Sequence, residues 1–296
     1  MAKKVSAFVT RQNMNLHSYE IYRYRDSYLN DVALHHHDFY ELYLFLSGDV
    51  SYTIESRNYS LQPGDLLMIS PMELHRPIIT PAKLPYERIV LWMDAEFLEQ
   101  FSTESTNLAQ CFSTKRTEHT NLLRPDSVAR ARITQMMDAM IEESAGGGYG
   151  GDLTALAQLL ELLVLVNRLV LRAGAQRHEL EDKSAPVIGS VLNYINAHYR
   201  EDLSLDELAA RFFISKYHLS HEFNRLVGTS VYRYIIQKRL IIAKQLLSDG
   251  APPTSAYVQC GFGDYANFYR AFKSEYHISP KEFIRRDAHD TVFKNT

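Results

Sequence analysis

The sequence predicts an α+β chain of two domains: an N-terminal β-barrel or sandwich carrying a helical hairpin, and a C-terminal all-α domain. Three observations predict it. Residues 5 to about 110 hold short runs of alternating residues separated by glycine and proline turns. Residues 202 to 283 hold one helix, turn and helix plan twice over. Between these regions Gln176 to Ala185, rich in charged and small residues, reads as a linker. At 296 residues, length alone favours about two domains. The expected partition is 1–110 for the β domain, 111–175 for a helical dimerisation or packing region, 176–185 for the linker and 186–296 for the helical domain.

In the β region the alternation is clearest over Phe39 to Leu46, Val50 to Ile54 and Ile89 to Met93, with turns at Ser47-Gly48-Asp49 and Gln62-Pro63-Gly64-Asp65. His35, His37, Phe39, Glu41, Tyr43 and Phe45 share odd parity, so on one strand they face one way. His36 is off parity and is expected on the surface. If the odd face is the interior, His75 can join it from a later strand, and Trp92 adds an aromatic face. Two or three imidazoles with a carboxylate (His35, His37, Glu41, His75) suit a divalent transition metal. The same residues with Phe39, Tyr43 and Trp92 equally suit a sugar, which needs a few fixed polar groups and aromatic faces.

Residues 128 to 142 and 152 to 173 carry two helical patterns joined by Gly146-Gly147-Gly148-Tyr149-Gly150-Gly151. That run fits G-x-G-x-x-G, but it follows a helix and not a strand, so it reads as a hairpin connector, not a dinucleotide site. The second helix is apolar around much of its circumference, with Leu153, Leu156, Leu160, Leu163 and Val170 along one stripe and Leu162, Leu165 and Leu169 beside it. Gln158, Glu161, Asn167 and Arg168 interrupt Leu153 to Leu171 and argue against a membrane span. The helix either packs on the β domain or pairs with a partner.

The C-terminal plan starts at Ser204-Leu205-Asp206-Glu207, a capping box in which serine and glutamate satisfy each other's orphan amides. Leu205, Leu208, Ala209 and Phe212 face inward from the short helix that follows. Ser215 can cap a second helix from Lys216 to Val227, closed by Gly228. Leu219, Phe223 and Leu226 make its buried face, leaving Tyr217, Ser220, His221 and Asn224 opposite. A helix from about Ser230 to Leu247 joins this unit to the next. There Thr254 to Cys260 is a short helix, Gly261-Phe262-Gly263 the turn, and Asp264 the cap of a helix to about Tyr276. Phe268, Ala271 and Phe272 face its core, while Tyr265, Asn267, Arg270 and Lys273 face outward. Ser279-Pro280-Lys281-Glu282 opens a last helix with another capping box. The two units span about 205–226 and 253–276, and a polar face on a short helix after a tight turn is what a major-groove reader needs.

Ser215-Lys216-Tyr217-His218-Leu219-Ser220-x-x-Phe223, Gly228, Lys238-Arg239-Leu240-x-x-Ala243-x-x-Leu246-Leu247, Cys260-Gly261-Phe262-x-Asp264-x-x-x-Phe268-x-Arg270-x-Phe272-Lys273 and Ser279-Pro280 together resemble the AraC/XylS family of bacterial transcription regulators, over residues 186 to 286. His277 departs from the family's glycine, Ile284 from its arginine, and Thr254-Ser255-Ala256-Tyr257 from its aliphatic helix start. The resemblance implies base readers at Tyr217, Ser220 and His221 in one helix and at Tyr265, Asn267 and Arg270 in the other, with Asn224 on the same outward face. Lys216, Arg225 and Lys273 are placed as phosphate contacts. Arg239 is read as a structural residue between the units.

His35-x-His37-x-x-x-Glu41 with Gly48, then Pro63-Gly64-Asp65, Pro71 and His75, resemble the two cupin motifs over about residues 30 to 95. This implies a cupin-like sensor fold, common in that regulator family, where such histidines often serve an effector pocket without a metal.

The formal charge is −3, but residues 186–296 carry 14 Lys+Arg against 11 Asp+Glu while residues 1–185 carry 18 against 24. A mildly basic C-terminal half suits DNA binding by that half alone. Cys111 and Cys260 cannot make a disulfide framework, and no apolar segment follows Met1-Ala2-Lys3-Lys4, so a cytoplasmic location is expected. The expectation is a non-enzymatic, sequence-specific DNA-binding transcription regulator with a double-stranded operator, a small-molecule effector, a sugar by preference, and a homodimer partner. RNA polymerase is a further partner on the same resemblance. No cofactor is required, and a divalent metal is the alternative occupant of the pocket. The competing class is a metal-dependent cupin enzyme, or a metal sensor, fused to a DNA-binding tail.

Overall fold

The computed structural model describes residues 13–27, 32–80, 84–114, 119–146, 148–173 and 186–285. The chain divides into two compact units, Met1–Ser184 and Ala185–Thr296. The linker expected at 176–185 lies outside the described residues, as does the start of the expected β region.

Unit one is a two-sheet sandwich with a helical layer. Strands β1 (Tyr19–Asp26), β2 (Tyr40–Ser47), β3 (Asp49–Ile54), β4 (Arg57–Ser60), β5 (Leu66–Ile69), β6 (His75–Thr80), β7 (Tyr86–Met93) and β8 (Leu122–Leu123) form two antiparallel sheets. Their orders are β1-β7-β2-β5-β8 and β4-β3-β6. The strands β2, β5 and β7 are buried on both faces, because each face meets a different layer. Odd positions of β2, with Leu67, Val90 and Trp92, join Tyr52, Ile54 and Tyr59 inside the sandwich. Even positions, Leu42 and Leu44 with Met68, Leu91 and Met93, join the aliphatic core under the helices. Period-2 geometry thus sorts aromatic residues to one side and aliphatic ones to the other.

The helical layer is the hairpin α2 (Ser127–Gly146) and α3 (Gly151–Arg172), preceded by α1 (Ala95–Gln100). Two expectations change here. The β region does not run to 110, since α1 and a short 3-10 turn at Gln110–Phe112 intervene. The sheet then resumes beyond 110, where Leu122 and Leu123 pair with Leu67 and Leu66. Helix α3 packs on the sheet through Leu159, Leu162, Leu163, Val166 and Val170, all essentially buried. The stripe expected from Leu153 to Val170 is split, with Leu153 67% exposed and Leu171 59% exposed on the outer side. By length and composition α3 could cross a membrane, but its inner face is part of this core.

Unit two contains α4 (Pro186–His198), α5 (Leu205–Arg211), α6 (Lys216–Val227), α7 (Val231–Ser248), α8 (Pro253–Gln259) and α9 (Tyr265–Tyr276), with a last helical stretch at 280–285. The caps are local chemistry. Ser204 and Glu207 form a reciprocal capping box, Ser215 Oγ accepts from His218 N at 3.1 Å, and Asp264 Oδ1 accepts from Asn267 N at 2.7 Å. Ser279 and Glu282 repeat the box before 280–285. His277 closes α9 with φ 60°, the left-handed conformation its family-glycine position demands. Tyr257 fills the site of the expected aliphatic start, with its ring against Tyr265 and Phe268.

The turn of the second helix-turn-helix pair is fastened to the rest of unit two. Gly261 (φ +89°) approaches the turn after α4 so closely that a Cβ there would lie 2.7 Å from Arg200 Cα. Arg239 of α7 reaches the same end of α4, donating to the carbonyls of Tyr199 (2.7 Å) and Glu201 (2.6 Å), and its guanidinium lies 6.0 Å from the Phe262 ring centroid. Arg239 thus ties α7 and the second helix-turn-helix turn to the segment after α4, the structural role the resemblance implied.

Candidate functional site

Two candidate sites stand in separate units. In unit two, α6 and α9 each follow a capped turn and bury one aromatic-rich face, through Leu219, Phe223 and Val227 in α6 and Phe268, Phe272 and Tyr276 in α9. Their opposite faces are exposed. Lys216, Tyr217, Ser220, His221, Asn224 and Arg225 line the outer side of α6, and all but Lys216 rim one shallow concavity. Tyr265, Asn267, Arg270 and Lys273 line the outer side of α9. Helix α7 sits between the two helix-turn-helix pairs of unit two and packs both, with Tyr234 edge-on to Phe223 at one end and Leu240, Ala243 and Leu247 in the core of Phe268 and Phe272.

These exposed groups already have partners. Lys216 pairs with Asp206. Glu222 Oε2 accepts from Arg225 Nε (3.0 Å) and Nη2 (2.7 Å), and Glu222 Oε1 lies 3.1 Å from His221 Nδ1. The Arg225 guanidinium and then His221 hold the Glu222 carboxyl below its ordinary range. In α9, Asn267 bridges Asp264 and Arg270. The role of Glu222 is visible only in the structure, because a carboxylate between two presumed DNA contacts reads in sequence as an ordinary solvated residue.

In unit one the seven residues proposed for an effector all lie in the sandwich interior: His35, His37, Phe39, Glu41, Tyr43, His75 and Trp92 are each at most 9% exposed. β2 starts at Tyr40, so His35, His37 and Phe39 precede it, and no strand alternation governs them. For the same reason His36 is 8% exposed and not on the surface.

The structure brings together His37, Glu41 and His75, whose ligand atoms lie within 4.8 Å of one another, and leaves His35 outside that set. His35 instead bridges to His75 through backbone hydrogen bonds, with ring centroids 4.2 Å apart. His37 stacks on Phe39 and places Nε2 3.2 Å from Glu41 Oε2, which also accepts from Trp92 Nε1 at 3.0 Å. The Nδ1 atoms of His37 and His75 face the carbonyls of Phe39 (2.9 Å) and Glu73 (2.8 Å). A carbonyl can only accept, so each Nδ1 carries a proton; the neutral His75 ring is then left with a lone pair on Nε2, whereas His37 Nε2 faces the Glu41 carboxylate. Among the described residues nothing hydrogen-bonds His75 Nε2. Burial, then neighbouring histidine, pushes His75 well below the ordinary imidazole range, and burial does the same to His35.

Beyond Trp92, sequence reasoning missed the part of this interior that β1 and β7 supply. Tyr22 lies edge-on to Trp92, and Arg88 sits over the rings of Tyr24 (4.9 Å) and Tyr86 (4.2 Å) while donating to Asp26 at 2.6 Å. Tyr86 and Tyr43 share a 2.7 Å hydroxyl contact. The alternation Glu20, Tyr22, Tyr24, Asp26 was the available signal, since these positions face Trp92, Val90, Arg88 and Tyr86 in register.

Residues 18–163 match the family model for an AraC-like ligand binding domain, and residues 208–286 match one for a helix-turn-helix domain. The chain is similar to the HTH-type transcriptional activator RhaS of Salmonella arizonae, 26% identical over 266 residues, covering 86% of this chain and 88% of that protein. Among solved structures it is similar to a transcriptional regulator with an AraC-type DNA-binding domain from Chromobacterium violaceum, at 26% identity, 35% of this chain, 93% of that chain and a TM-score of 0.33. It is also similar to ToxT of Vibrio cholerae with a bound unsaturated fatty acid, at 12% identity, 92% of this chain, 97% of that chain and a TM-score of 0.37.

Proposed function

The chain belongs to the AraC family of transcription regulators, with an N-terminal ligand-binding domain, and we propose that a sugar bound in that domain controls how its two helices α6 and α9 engage an operator. The observation that carries the DNA part is the pair of outward polar faces, Tyr217, Ser220, His221 and Asn224 on α6 and Tyr265, Asn267 and Arg270 on α9, held in one compact unit by α7. Each helix follows a tight turn, and such pairs enter successive major grooves about 34 Å apart. Lys216, Arg225 and Lys273 contact phosphates, which sets register and carries no sequence information.

The sugar reading is supported by the sandwich interior, where Phe39, Tyr22, Tyr24 and Trp92 supply ring faces and Glu41, Arg88 and Asp26 supply polar groups. The chain works as a regulator and not as an enzyme, in the cytoplasm, as a homodimer paired through the outer side of α3, where Leu153 and Leu171 are exposed. RNA polymerase is its partner at the promoter.

One observation favours a second reading of the pocket. The buried Nε2 of His75, with no hydrogen-bond partner among the described residues, faces the His37 and Glu41 set, and backbone carbonyls accept from the Nδ1 of both imidazoles, the outer hydrogen bond that orients a metal-ligating histidine. His37, Glu41 and His75 would hold a divalent transition metal, which supplies a strong Lewis-acid contact for a hydroxyl-bearing effector. The test is thermal melting of the full chain across a panel of sugars, with and without chelator. A sugar-specific rise that survives chelation supports the metal-free pocket. A fall on chelation with no sugar response moves the site to metal sensing.

A further inference from the structure

We propose that Asp264 and Asn267 are positioning residues that hold Arg270 for guanine readout, so that Asn267 does not itself read a base. The inference rests on the reading of α9 as a base-contacting helix and corrects the role of one of its residues.

The hydrogen-bond chemistry leaves a single arrangement. Asp264 caps α9 with Oδ1, accepting from Asn267 N at 2.7 Å, and its second oxygen meets the Asn267 side chain. A carboxylate only accepts, so the Asn267 group facing it is the NH2, which donates. The amide oxygen of Asn267 then points the other way, where it accepts from Arg270 Nη2. Arginine only donates, so the series runs in one direction with no alternative: Asp264 accepts, Asn267 donates and accepts, Arg270 donates.

Two consequences follow for DNA. Reading adenine takes the oxygen and the NH2 of an asparagine amide together, and here each already makes one hydrogen bond within the protein, which fixes the amide's orientation toward Asp264 and Arg270. Arg270, by contrast, gives up one N–H and keeps the others, and its anchoring partner is neutral, so its charge stays available to a guanine edge. The first unit shows the opposite arrangement. There Glu222 takes the Nε and Nη2 edge of Arg225, the edge a bidentate base contact needs. Helix α6 is also capped by a single hydroxyl, Ser215, which offers no second oxygen to organise a neighbour.

The experiment is selection of binding sites from a random double-stranded DNA library by the full chain, with base preference read position by position. Wild type is compared with Asp264→Ser, which keeps a helix cap but removes the second oxygen, and with Asn267→Ala and Arg270→Ala. Arg270→Ala is expected to erase a guanine preference of about 5- to 150-fold at one base pair. Asp264→Ser and Asn267→Ala are expected to weaken preference at that same base pair by several-fold and leave the other positions unchanged, with melting close to wild type. A purely structural role would not move one base pair selectively. Loss of preference at a different base pair in Asn267→Ala overturns the proposal, because Asn267 then reads its own base. So does a wild-type preference profile in Asp264→Ser. If Arg270→Ala changes preference nowhere, α9 is not a base reader, and the proposal falls together with the reading it rests on.

Discussion

The first and second helix-turn-helix units share a plan and distribute its strain and charge in opposite ways. In the first, the turn residue with positive φ is Phe213 (φ 54°), 95% exposed, and the helix closes on Gly228. In the second, the turn residue is Gly261, pressed on the backbone of Tyr199 and Arg200 just after α4, and the helix closes on His277. The arginine of α6 is neutralised by Glu222, while the arginine of α9 is held by a neutral amide. A repeated motif therefore does not make repeated contacts. The second unit is locked to the rest of its domain and presents an arginine held by a neutral amide, and the first has an exposed turn and a charge-balanced face.

Core truncation gives the largest effect and tests whether the units fold together. Phe223→Ala and Phe268→Ala each remove a ring that is 0% exposed and should cost about 3–5 kcal/mol of unfolding free energy. Circular dichroism melts read the loss, and a biphasic melt in either variant would show that α7 does not couple the units.

Next in size is Gly261→Ala. The backbone conformation alone should cost roughly 1–3 kcal/mol, and the contact with Arg200 Cα adds to it. Gly250→Ala, at φ +88° with open space around it, should lose only the conformational part. Equal denaturation midpoints for the two variants would sink the claim that the second turn is locked.

The arginines should differ in kind. Arg270→Ala should weaken operator binding by about 1–3 kcal/mol more than random-DNA binding. Arg225→Ala should weaken both equally, and Glu222→Gln should steepen the salt dependence of both by freeing a cation, with the logarithmic slope changing by about 1. Titrations over a range of salt concentrations separate these outcomes.

The smallest expected effects are gains. Phe213→Gly and His277→Gly each relieve a left-handed non-glycine residue and should stabilise by up to about 1 kcal/mol, less the extra freedom of the unfolded chain. A loss in Phe213→Gly, measured by denaturant midpoint, would mean that this exposed ring packs on something.

The C-terminal unit was readable from its residues because its signals are local. Ser204 with Glu207, Ser215, Asp264 and Ser279 with Glu282 each act within one helical turn, and His277 stands where a left-handed cap is needed. The sandwich was less readable. His36 was expected outside because strand parity was extended to residues ahead of β2, where the chain is irregular and buries consecutive side chains. Tyr22, Tyr24 and Arg88 went unnoticed as site residues because their meeting with Trp92 and Tyr86 depends on β1 pairing with β7, some 65 residues away in sequence. Strand β8 is too short to carry a period at all, and only its pairing with β5 makes it a strand.

Local chemistry written along the chain settled the α+β class, the tandem helical units, their caps and the outward faces of α6 and α9, since helix periodicity and capping act over three or four residues. Packing between distant segments settled the rest. It chose His37, Glu41 and His75 from three histidines and a carboxylate, set Glu222 against Arg225 and Asn267 against Arg270, and turned one side of α3 into core. Those choices depend on which surfaces the fold brings within hydrogen-bond reach, a distance that sequence separation does not encode.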